Sequence, residues 1–286
     1  MKKIFLGLAM ALWTAAAAPA QLVSFQLTGG LTWINGDDYN RGLTGLNRYL
    51  QDTSTSLAGA YEPLDSGLNV QVEIINWFTP HIGVGLGGGY YRVGRENTVS
   101  GGGLVSGMPY DFQSTVSARV SAIPFFLNLR VLVRLLPTLS LDVFAGPVFQ
   151  VVQFNFENPM TLSLDSTNQV ETFTASQTSF GGQAGLGLNF DLFPGVGLVA
   201  AGGYRFGRVS NLQGNWSVLG TSAPGPINLS SSVYDLWYYE FTQGATYPRL
   251  GFFDDNGPSG AGISGARRAD INLSGLTVSA GVKFSF

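Results

Sequence analysis

The sequence predicts an all-β protein: an antiparallel, up-and-down transmembrane β-barrel of eight strands, with short turns at one end and long loops at the other. Three observations carry that prediction. Apolar residues alternate with small or polar ones through almost the whole chain, which is the mark of strands whose two faces meet different surroundings. Only 12% of the residues are charged while 39 of 286 are Gly, about half the charge and twice the Gly of an ordinary soluble domain. Past residue 20 there is no apolar run long enough for a membrane helix, so any crossing of a bilayer falls to strands. The same composition excludes other classes. An apolar share of 45% is too high for a disordered chain. The absence of Cys removes disulfides, thiolate metal sites and redox motifs. With one adjacent basic pair beyond the N-terminus, Arg267-Arg268, there is no footprint for nucleic acid.

In chain order, Met1-Lys2-Lys3, the apolar stretch from Ile4 to Trp13 and the small-residue site Ala18-Pro19-Ala20 predict a signal peptide over residues 1–20 and a barrel domain over 21–286. The first strand sets Val23, Phe25, Leu27, Leu31 and Trp33 opposite Ser24, Gln26, Thr28, Gly30 and Thr32. Leu68, Val70, Val72 and Ile74 then oppose Asn69, Gln71 and Glu73, and Ile82, Val84, Leu86 and Tyr90 oppose Gly83, Gly85, Gly87 and Gly89. The next two strands change phase. Val116, Ala118 and Val120 give way to Phe125, Leu127 and Leu129 after Pro124, and a similar slip follows Pro147, which predicts a β-bulge near each proline. Regular alternation resumes with Ala184, Leu186, Leu188 and Phe190, with Leu198, Ala200, Tyr204 and Phe206, and with Leu276, Val278, Ala280, Val282, Phe284 and Phe286. Tight turns at Pro80, Pro137 and Pro194 alternate with long connections over residues 34–67, 94–114, 157–172 and 208–270, the pattern of an outer-membrane barrel.

Eight strands enclose an interior that side chains just fill. The bulky apolar parity therefore belongs outside against lipid, and the Gly, Ser and charged parity inside. Trp33, Trp77, Phe78, Tyr90, Phe193, Tyr204, Phe284 and Phe286 lie near strand ends, as interfacial girdles require.

The closing segment Leu276-Thr277-Val278-Ser279-Ala280-Gly281-Val282-Lys283-Phe284-Ser285-Phe286 resembles the insertion signal that the barrel-assembly machinery reads in Gram-negative outer-membrane proteins, with Phe284 and Phe286 as its terminal aromatics. With Asn76-Trp77-Phe78-Thr79-Pro80-His81-Ile82-Gly83-Val84-Gly85, the mature chain is similar to the small OmpA/OmpX/OmpW-like eight-stranded group. The resemblance implies a place in the bacterial outer membrane, with short periplasmic turns and long extracellular loops. It also implies outer-membrane lipid and lipopolysaccharide as partners, and the assembly machinery during insertion. Unlike full-length OmpA, no peptidoglycan-binding domain is expected after Phe286.

The inward parity collects Glu73, Asp142 and Asp191 against Arg119, Arg130, Arg205 and Lys283. Buried charges persist when paired, so these predict an ion-pair network filling the lumen, with a gated ion or solute path as the alternative. No enzyme is predicted. The single His, His81, falls in a tight turn at the end opposite the long loops, whereas acyl-transfer enzymes on this scaffold hold theirs near the outer face, and a Glu73/Asp142 carboxylate pair would be sealed in the lumen. Gly83-Val84-Gly85-Leu86-Gly87-Gly88 matches a dinucleotide fingerprint in letters, but strand rather than helix follows it. Asp37, Asp38, Asp254 and Asp255 suit turn chemistry or Ca²⁺, and neither metal nor cofactor is assigned.

In the first long connection, Leu43, Leu46 and Leu50 recur at helical spacing and predict a short amphipathic helix over the mouth or on the headgroups. The last connection carries Trp216, Tyr234, Trp237, Tyr238, Tyr239 and Phe241. An aromatic set this dense either packs on itself or offers a surface to a small apolar ligand, a glycan or a protein. Two functions follow: a non-enzymatic barrel anchoring a surface loop assembly for structural or binding roles, or a narrow OmpW-like conduit for small apolar molecules.

Overall fold

The computed structural model describes residues 22–105 and 107–286, so the predicted signal peptide lies outside the described residues. The strands are β1 (Leu22–Trp33), β2 (Ser56–Ala58), β3 (Ser66–Trp77), β4 (Ile82–Val105), β5 (Met108–Leu136), β6 (Leu139–Leu162), β7 (Thr167–Phe193) and β8 (Val196–Phe206). There follow β9 (Arg208–Val209), β10 (Gln213–Ser222), β11 (Gly225–Gln243), β12 (Ala245–Phe253), β13 (Ile263–Arg268), β14 (Ile271–Asn272) and β15 (Gly275–Ser285), with one helix, α1 (Asp38–Thr53). Strands β1, β3, β4, β5, β6, β7, β8 and β15 pair antiparallel around a closed ring, β15 returning to β1. The predicted all-β, up-and-down, eight-stranded barrel is the observed one. Closure leaves no free sheet edge at the level of the ring.

One correction reorganises the rest. Neither Pro124 nor Pro147 marks a bulge: β5 keeps a single register against β4, and against β6 from Phe112 to Arg134, while β6 and β7 stay in register past Pro147. The strands run straight and their surroundings change. On β5, Phe126, Asn128 and Arg130 face inward and Phe125, Leu127, Leu129, Val131 and Val133 outward; further along, Val116, Ala118, Val120 and Ala122 face inward and Ser117, Arg119 and Ser121 outward. The apolar face thus switches from outside to inside at Ile123. β4 switches between Tyr90, which is exposed, and Tyr91, which is buried; β6 switches between Val151 and Val152. From Ile123 to Val133, a rise of about 3.3 Å per residue and a tilt of about 40° give an apolar height of about 25 Å. That height matches the lipid-facing band of a membrane barrel.

Beyond the band, β4 to β7 continue as strands. Two of the four predicted long loops, 94–114 and 157–172, are therefore mostly hairpin. Strands β10 to β13 extend the sheet from β7, and this protruding head has its own apolar core, with Val93, Val120, Phe154 and Phe173 fully buried. Helix α1 forms where the leucine spacing predicts it, and it packs into the head. Leu43 is buried, and Leu46 and Leu50 lie against the core. A Cβ at Gly45 would collide with the Pro248 carbonyl, so Gly lets α1 seat directly on the β12 backbone. On the other side, Asn40 and Asn47 each hold a stretch of extended backbone, donating to the carbonyls of Leu64 and Tyr61 and accepting from their amides.

Candidate functional site

Inside the ring at membrane level, Arg130 on β5 reaches both lumenal carboxylates. Its Nε and Nη2 donate to Glu73 on β3 at 2.8 and 2.5 Å, and its Nη1 donates to Asp142 on β6. Asn128 donates to Glu73 Oε1 at 3.2 Å, Gln183 donates to Asn128 at 3.1 Å, and the guanidinium lies 5.1 Å from the Phe144 ring. Space for this network comes from the glycine parity, since a Cβ at Gly85 would fall on Glu73 Oε1. Arg205 faces inward one layer higher, 4.3 Å over the Tyr91 ring, whose hydroxyl donates to Gln150 at 2.9 Å. Next to it lies a cavity of 40 Å³ lined by Gln26, Glu73, Asn128, Gln183 and Arg205 together with Val72, Phe144 and Tyr204. That is room for about three waters, which suits the buried Arg205 Nε and Nη1 atoms that lack a protein partner.

Of the seven predicted lumenal charges, Glu73, Arg130 and Asp142 meet in one cluster, and Lys283 and Asp191 pair at 3.4 Å near the turn end. Arg205 lies in the lumen, and no carboxylate among the described residues pairs with it. Arg119 is a miss: it points outward from the head, because it lies beyond Ile123, where the polar parity faces water. Trp77 is a second correction. It faces the lumen, buried, with its Nε1 donating to Ser24 at 3.3 Å, while the other girdle aromatics are exposed on the outer wall. Phe284 and Phe286 also face outward, and the Phe286 amide closes the β1 seam on the Val23 carbonyl at 2.9 Å. His81 sits in its turn with Nδ1 3.1 Å from the Leu132 carbonyl. The Gly83 to Gly88 run lies within β4, where no helix follows it. Asp38 is held by Arg267, and Asp255 by Arg268.

Above the polar lumen the inward side chains of β4 to β7 pack into one buried apolar cluster with Ile34, Leu212, Ile271 and Leu273, from the segments next to β1, β8 and β15. Val93, Val120, Phe154 and Ala175 stand side by side across four strands, all with at most 2% exposure, and Tyr91, Ala122 and Val152 form the row beneath. Beyond those rows lies a second cavity of 360 Å³, whose lining includes Tyr39, Leu43, Val116, Phe156, Leu250 and Phe252. It shares no lining residue with the lumenal cavity. Two ionisable groups line it besides tyrosines. Glu171 on β7 accepts from Trp216 Nε1 at 2.8 Å, and burial raises its carboxyl above the usual range. Arg249 on β12 stacks over the Tyr49 ring at 4.1 Å, and burial lowers its pKa.

The predicted loop aromatics are built into this head. Trp216 meets Tyr234 edge-on at 4.8 Å, Tyr239 meets Phe253 at 5.8 Å, Phe241 meets Tyr49 at 6.1 Å, and Arg267 covers Tyr238 at 4.7 Å. Trp237 packs where Gly257 approaches its ring. None of the six lines the 360 Å³ cavity. Sequence reasoning missed Glu171, Arg249 and Phe156 as cavity residues. Phe252 also lines the cavity and stacks on Phe173 at 4.4 Å.

An apolar belt of membrane height around a charged, filled lumen decides the architecture. The chain is a membrane-spanning β-barrel. No protein-family model matches the chain, and no curated protein does. Solved structures similar to it include the outer membrane protein OprG from Pseudomonas aeruginosa, at 13% identity and TM-score 0.38, covering 92% of this chain and 95% of that one. A major outer membrane protein from Thermus thermophilus is similar at 13% identity and TM-score 0.37, covering 93% and 100%. The outer membrane protease OmpT from Escherichia coli is similar at 11% identity and TM-score 0.31, covering 94% and 98%.

Proposed function

We propose that this protein is a bacterial outer-membrane barrel without enzymatic activity, sealed along its axis, which anchors a rigid binding head on the outer surface. The observation that carries the reading is the packing inside the barrel at two levels. Glu73, Arg130 and Asp142 occupy the membrane-level lumen, and above them the row from Val93 to Ala175 packs into a buried apolar cluster with Ile34, Leu212, Ile271 and Leu273. A hydrated ion would have to displace a buried ion-pair cluster and then pass a buried apolar one, each costing several kcal/mol. A conduit for apolar solutes would need one continuous apolar path, whereas the two cavities share no lining residue and the Glu73–Arg130 ion pair lines the lower one. In this reading the outward Phe284 and Phe286 serve barrel assembly, and the belt contacts lipid and lipopolysaccharide.

Planar bilayers test it. The purified full chain is expected to give no conductance steps and no voltage-dependent opening. Unitary steps that change on Arg130→Ala would overturn the sealed-barrel reading in favour of a channel.

A further inference from the structure

The head cavity has a cation in its wall that the fold leaves without an anion. No carboxylate among the described residues pairs with Arg249; its guanidinium lies over the face of Tyr49 and, at 5.9 Å, Phe241, and the groups that act on its charge are Tyr239, Tyr49 and Tyr247. Burial lowers its pKa, so its charge is held unfavourably in the head, and a bound anion would relieve that penalty. Glu171, the other charged group in the wall, accepts from Trp216 Nε1 at 2.8 Å, and burial raises its carboxyl above the usual range. The Tyr61 hydroxyl is engaged too, donating to Ser114 at 2.8 Å. Much of the remaining wall is apolar, with Phe156, Phe252, Leu43, Leu250 and Val116.

We propose that this cavity binds a small amphiphile with an apolar body and a single carboxylate, the carboxylate pairing with Arg249 and the body lying against Phe156 and Phe252. The volume of 360 Å³ is near the lower end of small-molecule sites. On the scale that gives the lumenal cavity about three waters, it has room for more than about 20 water-sized groups, ample for a ligand of about a dozen non-hydrogen atoms. A guanidinium suits the planar acid because two of its N–H groups can meet both oxygens at once. The proposal rests on the reading of the protrusion as a folded binding head, and it adds the chemistry of what is bound.

The probe is 4-phenylbutanoate, titrated against the full chain refolded in phospholipid vesicles, with 4-phenylbutanol and 4-phenylbutylamine as neutral and cationic counterparts. Calorimetry and Trp fluorescence, with Trp216 hydrogen-bonded to a cavity residue, report binding. The acid is expected to bind saturably, at least tenfold more tightly than the alcohol. Arg249→Gln should weaken the acid about tenfold and leave the alcohol unchanged. Should that variant not refold, Arg249→Lys and a salt titration replace it: acid affinity should then fall with ionic strength while alcohol affinity holds. Equal affinity for acid and alcohol, preference for the amine, or no saturable binding to the unmodified chain would overturn the proposal. Conductance steps with acid binding intact would overturn the sealed barrel and leave the site standing. Silent bilayers with no acid preference would overturn the site alone.

Discussion

Replacing Arg130 with Met tests whether the lumen is held by paired charge. Arg130 is 3% exposed, and its partners Glu73 and Asp142 are 6% and 2% exposed. Met keeps much of the side chain's length and removes every donor. Asp142 then loses its ion-pair partner, and Glu73 keeps only the 3.2 Å hydrogen bond from Asn128. Breaking a buried pair by removing one member costs about 3–5 kcal/mol, most of it the penalty of the stranded charge. The triple change Glu73→Met, Arg130→Met, Asp142→Leu replaces the charges together by apolar side chains of similar size and should return to within about 1–2 kcal/mol of the unmodified barrel, since apolar replacement of a buried ion-pair cluster is often neutral or stabilising. Urea unfolding in phospholipid vesicles, followed by Trp fluorescence, measures both. A loss under about 1 kcal/mol for Arg130→Met, or a triple variant less stable than the single one, would show that the cluster is not the lumen's electrostatic keystone.

Three further outcomes follow from the head and the belt. Glu171 has a raised folded pKa, so it favours folding at pH below the ordinary Glu range, and that contribution is lost as pH rises through the raised value. Glu171→Gln should remove this slope and stabilise the head at neutral pH, while Gln Oε1 still accepts from Trp216; a less stable head at pH 7, by hydrogen exchange in β7 and β10, would contradict it. Gly45→Val should drive α1 off Pro248, raising protease cleavage within residues 34–65 while the barrel keeps its heat-dependent gel shift; unchanged cleavage would refute the close packing. Leu127→Arg, near mid-belt, should cost about 2–4 kcal/mol. Thr115→Arg, on the same outward parity of β5 but in the head, should stay within about 0.5 kcal/mol. Equal losses would mean that the belt does not end near Ile123.

Strand number, pairing order, the closed ring and the outward apolar parity of the membrane level were all legible, because period-two alternation reports which face a residue takes. What alternation cannot report is the solvent on that face. Val116 to Ala122 alternate as cleanly as Phe125 to Val133, and the half-period offset between them reads equally as an inserted residue or as a change of medium. Constant register across Pro124 decides for the medium. The misplacement of Arg119 follows directly from choosing the bulge. Trp77 failed for a related reason: position near a strand end suggests a girdle, but its odd parity on β3, shared with Glu73 and Ile75, turns it into the lumen.

The two sites differ in legibility for a reason rooted in chain topology. Glu73, Arg130 and Asp142 stand on ring strands of known parity, so elementary electrostatics could already place them in one lumen and require that they pair. The head cavity is assembled from α1, the 59–65 segment, β5, β6, β7, β11 and β12, elements that meet only because β10 to β13 take over the sheet where β8 stops at Phe206. No local pattern announces Glu171 or Arg249, since each sits in an ordinary strand and acquires meaning from walls far away in sequence. A partial signal existed in the phase inversion itself. Apolar residues that turn inward beyond the belt require an enclosing wall to complete a core, and an apolar interior wider than the strands alone can fill needs an added element. The 34–65 segment supplies it through α1, whose glycine face meets β12 and whose asparagine face holds Tyr61 and Leu64. The same inversion that misled the placement of Arg119 therefore predicts a head with an interior, and an interior is the precondition for a binding cavity above a sealed barrel.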